Sequence, residues 1–318
     1  MSLIVDHIHK TFGASVAVDD VSFTVQPGSV FGFLGTNGAG KTTTMRVILD
    51  ILRPDSGSVT WNGVPNTRVP RQAWGYLPEE RGLYPKMTVE DHLLYLAQLH
   101  DAPLRDARRA LDEWLTRFEI TENRTKRIEQ LSKGNQQKVQ FLAAILHDPQ
   151  VLIFDEPFSG LDPVNAAMLK EAFREMQRRG KTLVFSTHQM EQAEELCEQI
   201  AVIQHGRLVL SGELRALKRA SGRQIVRLAL ANDAAPAWLV ALPGVTVLHR
   251  RADYTEMEVT ADTDPESVLR TALARGRVIR FEITAPSLND LFLAAVGAAP
   301  TSGSKPEIAA DLVGIPTG

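Results

Sequence analysis

Gly35, Thr36, Asn37, Gly38, Ala39, Gly40, Lys41 and Thr42 form one glycine-rich run that ends in a lysine and a hydroxyl. That spacing suits the cradling of a polyphosphate. The glycines permit turns tight enough to aim successive backbone N–H groups at one anion. The run follows the apolar stretch Val30, Phe31, Gly32, Phe33, Leu34 and opens a helical pattern over residues 42–52, which begins with Thr42 and Thr43. A helix starting here turns its N-terminus, worth roughly +0.5 charge, toward the same anion. Lys41 can then reach the β- and γ-phosphates, and the Thr42 hydroxyl can ligate Mg²⁺.

A second run, Val151, Leu152, Ile153, Phe154, ends in two carboxylates, Asp155 and Glu156. A continuous apolar run fits a parallel strand buried on both faces. Ligand chemistry in open α/β sheets gathers at the carboxyl ends of such strands. Asp155 is therefore placed to hold the Mg²⁺ shell, and Glu156 to act as general base on an attacking water.

Leu131, Ser132, Lys133, Gly134, Asn135, Gln136 and Gln137 precede that strand by about one helix. Here the chain resembles the ATP-binding cassette (ABC) ATPases, whose signature motif usually reads Leu-Ser-Gly-Gly-Gln. Ser132 and Gly134 match; Lys133 and Asn135 depart. Ser159-Gly160-Leu161-Asp162 resembles the family's D-loop. Ser186-Thr187-His188 resembles its switch-histidine loop, and Phe12 stands in the place of the aromatic that stacks on adenine. The resemblance spans residues 1 to about 212. It implies a P-loop α/β core with an antiparallel β layer and a helical insert, and ATP and Mg²⁺ as cofactors. It also implies γ-phosphate sensing by His188, and closure of the site by Ser132, Gly134 and Asn135 of a second subunit beside Asp162. Read without the family, Ser132 is the N-cap of a helix over 135–147, whose Val139, Leu142, Ala143 and Leu146 form a core stripe.

One position departs more sharply. After Tyr76-Leu77-Pro78 the family places a glutamine, and this chain has Glu79. A carboxylate adds repulsion toward the nucleotide and attraction toward the metal. The stretch from Leu77 to Pro85 resembles the version found in bacterial sodium- and drug-efflux ATPases, which makes Glu79 a subfamily trait at the metal.

The chain has 318 residues, 44% of them hydrophobic, enough for two domains with real cores. We expect an ATP-binding domain over 1–220 with its helical insert at about 86–135, an accessory domain over 221–298, and a disordered tail over 299–318. In the accessory domain the strand and helix patterns run β-α-β-β-α-β, the ferredoxin-like order, with a short first helix over 236–242 and an extra helix at the end. Its close, Pro286 to Phe292, resembles the motif that ends the small domain of efflux-type ABC ATPases. The single cysteine, Cys197, excludes an intrachain disulfide and suits a reducing cytoplasm. No apolar run nears the ~18 residues of a membrane span, and no signal peptide is evident at the N-terminus. A net charge of −3 gives no electrostatic footprint for nucleic acid.

The expected function is that of an ATP-hydrolysing exporter subunit, cytoplasmic and held at the inner face of the membrane by separately encoded permease subunits. Its partner is a second copy or a homologous ATPase. The alternative is a soluble ABC ATPase acting on nucleic acid or ribosomes. Two features weigh against it. The interval from Lys41 to Leu131 is too short for the coiled coil of the DNA-repair forms, and the chain carries one cassette where the ribosomal forms carry two.

Overall fold

The computed structural model describes residues 2–80, 82–231, 237–260 and 262–296. These form two compact units, the first ending at Ser211 and the second beginning at Gly212. The tail expected over 299–318 lies outside the described residues.

In chain order the first unit opens with β1 (Leu3–Phe12), β2 (Ser15–Val25), β3 (Val30–Leu34), α1 (Lys41–Ile48), β4 (Ser56–Trp61), β5 (Val64–Pro65) and β6 (Trp74–Leu77). The helices α2 (Val89–Leu99), α3 (Leu104–Arg117) and α4 (Lys133–Ile145) follow as the insert. The unit closes with β7 (Val151–Asp155), α5 (Pro163–Arg178), β8 (Thr182–Thr187), α6 (Met190–Leu196), β9 (Gln199–Gln204) and most of β10 (Arg207–Glu213), whose last two residues fall past Ser211.

Two sheets are built from these strands. The antiparallel layer has the order β2-β1-β4-β5, and the second sheet runs β10-β9-β3-β8-β7-β6. Within the second, β9, β3, β8, β7 and β6 are mutually parallel. Every residue of β3, β7 and β8 is buried, which explains why these strands read as continuous apolar runs. Phe31 and Phe33 meet Phe23 of the antiparallel layer. Phe154 and Phe185 instead join Phe141, Phe158 and Phe173, from the helices and the loop after β7. Between β3 and α6 the packing is tight: a Cβ at Gly32 would lie 2.9 Å from the Cys197 sulfur. Burial pushes the Cys197 thiol pKa well up, so it is a packing residue and not a nucleophile.

Local turn and cap chemistry shapes the first unit, and one helix is shorter than expected. Asn62 and Gly63 both adopt positive φ, 54° and 79°, in the two-residue turn between β4 and β5. The Thr88 hydroxyl accepts the Asp91 N–H at the start of α2. The helix expected over 42–52 stops at Ile48. Asp50 turns left-handed at φ 55°, and the Asn66 amide donates to the Val47 and Ile48 carbonyls at 2.8 and 3.1 Å. A distant side chain thus caps the helix, which no local pattern announces.

The second unit holds α7 (Leu214–Ala220), β11 (Gln224–Leu230), β12 (Val245–Arg250), β13 (Thr255–Val259), α8 (Pro265–Arg275), β14 (Val278–Thr284) and α9 (Leu288–Ala295). Its sheet order, β12-β13-β11-β14 with every pairing antiparallel, is that of the ferredoxin-like arrangement. The helix expected over 236–242 is a single 3₁₀ stretch, Ala237–Ala241. One sheet face packs Val226, Leu228, Met257 and Val259 on Leu239, Val268 and Ala272. On the other, Arg223 pairs with Glu258 and Arg227 with Glu256. The unit begins at Gly212, earlier than the boundary drawn at 220, because α7 packs within it against α9.

His92 of α2 is fully buried beside the Tyr84 ring, and neither ring nitrogen has a partner among the described residues. Burial lowers its pKa from 6.5 to about 4. Protons therefore bind the unfolded chain first, and stability falls as pH drops from about 6.5 through about 4. The penalty is up to about 3 kcal/mol. Replacing His92→Leu should flatten that part of the curve while leaving stability at pH 7.5 equal or higher. Urea denaturation at pH 7.5 and 5 measures it; an unchanged difference between the two pH values rejects the assignment.

Candidate functional site: a phosphate cleft and a separate signature surface

The strand order fixes which loops meet. Because β3, β8 and β7 are neighbours in register, with Leu34 opposite Thr187 and Asp155 opposite Ser186, their carboxyl ends open side by side. The loop after β3 carries the glycines, the turn after β7 carries Glu156, and the turn after β8 carries His188.

Gly38 and Gly40 adopt φ of 78° and 111°, and Gly40 is the N-cap of α1 without any side-chain cap. The first N–H groups of that helix thus stay free of intrahelical partners and face the cleft side. Gly35 and Ala39 do not line the cleft. Gly35 is needed for close approach, since a Cβ there would lie 2.4 Å from the Ile203 carbonyl oxygen. A cleft of about 340 Å³ is lined by Asn37, Gly38, Gly40, Lys41, Thr42, Thr43, Glu79, Glu156 and Ala17.

Lys41 is only 6% exposed. Its ammonium donates to the Gly35 and Thr36 carbonyls at 2.8 and 3.2 Å. The Glu156 Oε1 atom is also 3.2 Å away, but outside hydrogen-bond geometry, so that attraction is Coulombic. Glu156 Oε2 lies 3.1 Å from His188 Nδ1. Glu156 itself sits at φ 51°, a left-handed turn that a non-glycine residue adopts only under constraint. The constraint is visible: its N–H donates to the Ser186 carbonyl at 3.2 Å and to the Ser186 hydroxyl at 3.1 Å. That hydroxyl in turn donates to Asp155 Oδ1. Asp155 is fully buried, and its Oδ2 has no partner among the described residues. Burial, then the charge of Asp155, raises the neighbouring Tyr76 phenol pKa; Glu79 adds to the rise and Arg46 opposes it.

Phe12 is half exposed at the end of the β1–β2 hairpin, with the Lys10 ammonium 5.7 Å from its ring centre. It does not line the phosphate cleft, though Ala17 of the same hairpin does.

The signature residues form a separate surface. Ser132 caps α4 by accepting the Asn135 N–H at 3.2 Å. Asp162 caps α5, accepting the Val164 and Asn165 N–H groups at 3.0 Å each. Asn165 joins the two loops: its amide donates to Asp162 Oδ2, and a Cβ on Gly134 would lie 2.7 Å from that amide nitrogen. Ser132 and Asp162 are exposed, and none of Ser132, Gly134, Asn135 and Asp162 lines the phosphate cleft.

Sequence reasoning missed the side chains that tie these loops together. Gln140 of α4 donates to the Pro78 carbonyl at 2.7 Å and more weakly to that of Glu80 at 3.3 Å, so it grips both sides of Glu79. Gln137 donates to the Pro157 carbonyl at 3.2 Å, beside Glu156. Both glutamines are buried. Two polar residues three apart on one helix face are the only signal, and that spacing looks the same on a solvated face.

A glycine loop at a helix start, with two carboxylates at the end of the neighbouring-but-one parallel strand, defines a P-loop nucleotide-binding fold. The comparisons narrow this. Residues 18–159 match the ABC transporter family, and residues 212–296 match the DrrA1-3-like ATP-binding protein C-terminal domain. The chain is 44% identical to the ABC transporter ATP-binding protein YhaQ of Bacillus subtilis (strain 168), over 93% of this chain and 99% of that one. It is 34% identical to the Nod factor export ATP-binding protein I of Rhizobium sp. (strain N33), over 91% and 95%. A solved ATP-binding subunit of an ABC transporter superposes with a TM-score of 0.66 at 32% identity, over 70% of this chain and 94% of that one. The chain belongs to the ATP-binding subunits of ABC transporters.

Gln140→Leu should leave the Pro78 and Glu80 carbonyls without their donor. The expected cost is about 1–3 kcal/mol, since buried acceptors lose their partner. Thermal denaturation reads the stability, and hydrogen exchange should quicken in the segment holding Glu79. Unchanged exchange there would mean that Gln140 does not hold the loop.

Proposed function

We propose that this subunit hydrolyses Mg-ATP to drive export, working as a head-to-tail dimer docked on separate membrane permeases at the inner face of the membrane. The observation that carries the reading is the line Lys41, Glu156, His188 across three strand ends, with the signature surface standing apart from it. Lys41, Thr43 and the free N–H groups of α1 bind the phosphates. Glu156, fixed by its left-handed turn, takes a proton from the attacking water, and His188 contacts both Glu156 and the γ-phosphate. A second chain, this one's copy or a homologous ATPase, supplies Ser132, Gly134 and Asn135 over the nucleotide, with Asp162 at the seam, and Phe12 stacks on the adenine.

The residues near the cleft fit Mg²⁺. Thr42 offers a hydroxyl, Glu79 a carboxylate, and Asp155 a buried oxygen without a partner among the described residues, all hard donors. Among the described residues no group of three or more metal-binding side chains forms a cage, as suits an ion carried largely by phosphate oxygens and water. When bound, the ion neutralises charge on the β- and γ-phosphates. Among the described residues no helix is long and apolar enough to cross a membrane. That agrees with transport through separate subunits. The likeness to a Nod factor export protein supports the export direction.

Glu156→Gln keeps the shape of the site and removes the base. Turnover should fall roughly 10²–10⁴-fold while ATP binding persists. At loadings where it is a monomer without nucleotide, the variant should sediment as a dimer in ATP, because the nucleotide that joins the subunits is no longer consumed. Near wild-type turnover would remove Glu156 from its role.

Glu79 lines the cleft, and its charge matters most when the metal is present. Glu79→Gln should shift the magnesium dependence of the ATPase rate, and Glu80→Gln should not. Superimposable magnesium titrations of the two variants, taken with the permease present, would reduce Glu79 to a solvated loop acid.

A further inference from the structure

The accessory sheet has two edges of different character. At one edge, the exposed residues of β12 are Thr246, His249 and Arg250, all polar. The other edge is β14, which among the described residues pairs only with β11. On β14 the exposed residues are Ile279, at 62%, and Ile283, at 47%. Open strand edges are usually blunted by charge, proline or shortness, because their free N–H and C=O groups template pairing. β14 is seven residues long, has no proline, and exposes isoleucine.

Its sequence is self-complementary. Reading Val278, Ile279, Arg280, Phe281, Glu282, Ile283 and Thr284 against its own reverse, Phe281 falls opposite Phe281. Arg280 then falls opposite Glu282, and Ile279 opposite Ile283. An antiparallel pair of identical strands has a two-fold axis at its centre, so the Phe281 pair sits on the axis and the Arg280–Glu282 and Ile279–Ile283 contacts each occur twice. Cross-strand aromatic, aliphatic and opposite-charge pairs are the pairs that stabilise antiparallel ladders. A slip of one residue sets Ile279 against Glu282 or Arg280 against Ile283, and a slip of two sets Arg280 against Arg280 or Glu282 against Glu282. Within one chain Arg280 already bonds Glu282 at 2.8 Å, and both keep about two-fifths of their side-chain surface exposed. Arg280 also lies 3.9 Å from Asp253, and Glu282 lies 3.7 Å from Arg227. The bulge of β14 against β11 falls at its first residues, between the pairs of Ala229 and Leu230, so the segment from Arg280 to Thr284 keeps regular pairing.

We propose that β14 is a homotypic docking edge: two copies of the chain pair their β14 strands antiparallel about Phe281, joining two four-stranded sheets into one. This contact needs no nucleotide. It would hold two ATPase subunits together after hydrolysis, when the ATP-bridged contact has opened, and keep their effective concentration high for the next closure. That consequence rests on the dimer proposed above; the strand pairing itself does not.

The test uses the full chain without nucleotide, in EDTA, by sedimentation equilibrium at loadings up to about 100 µM, since a short ladder is expected to bind weakly. The expected result is a monomer–dimer equilibrium. Arg280→Glu alone, or Glu282→Arg alone, sets like charges opposite each other twice and should weaken it about tenfold. The double exchange Arg280→Glu with Glu282→Arg restores opposite charges in this register and should recover it. Ile283→Lys should abolish it. Circular dichroism and melting of each variant show that it is folded, and the double exchange serves as the control for lost intrachain pairs. A monomer at every loading overturns the proposal, and so does a dimer indifferent to Ile283→Lys or a double exchange that fails to recover. Failure of ATP-driven dimerisation by Glu156→Gln would leave this result untouched, so the two readings fail separately.

Discussion

A buried ammonium must be answered by negative charge or carbonyl dipoles, and Lys41 sets that requirement for the whole first unit. The loop's own Gly35 and Thr36 carbonyls satisfy part of it, which demands that the glycine run fold back on itself. Glu156 supplies the charge, which demands that β7 stand two places from β3 with β8 between them. The parallel register then follows, and with it the position of His188. The antiparallel layer and the helices bury the two faces of a sheet whose strand order the charges need.

The same arithmetic explains why Glu156 accepts an unfavourable backbone. A relaxed extended residue after Asp155 would continue the strand line. The left-handed turn instead brings the carboxylate against Lys41, and the two bonds to Ser186 hold it there. Local strain of this kind persists only where surrounding contacts over-determine it. Ser186 is the pivot, because one hydroxyl accepts from the Glu156 backbone and donates to the Asp155 side chain.

Much of this was legible in the chain itself. The phosphate loop, the buried strands and the hairpin at Asn62-Gly63 rest on local chemistry, where residue type and spacing carry the message. The strands of the accessory unit read correctly for the same reason, since alternation and turns are local. What stayed hidden depended on residues far apart in sequence. Asn66 ends α1 from beyond the next two strands, and Gln140 grips a loop about sixty residues before it. The helix expected at 236–242 failed differently: Trp238, Leu239 and Leu242 have the spacing of a helix, yet only one 3₁₀ stretch forms before Gly244 turns left-handed at φ 72°. The unit boundary was drawn too late, at 220, because α7 carries no local sign of its partner α9.

The tight seat of Cys197 against Gly32 has a practical side. The thiol is buried, its ionisation is suppressed, and the sequence contains no other cysteine. The folded chain is therefore expected to react slowly with thiol reagents. A cysteine placed anywhere on the surface becomes the sole point of attachment for a spin label or fluorophore, with no background residue to remove first. Opening of the P-loop sheet would announce itself as the sudden reactivity of Cys197, which makes the residue a built-in reporter of whether the first unit is folded.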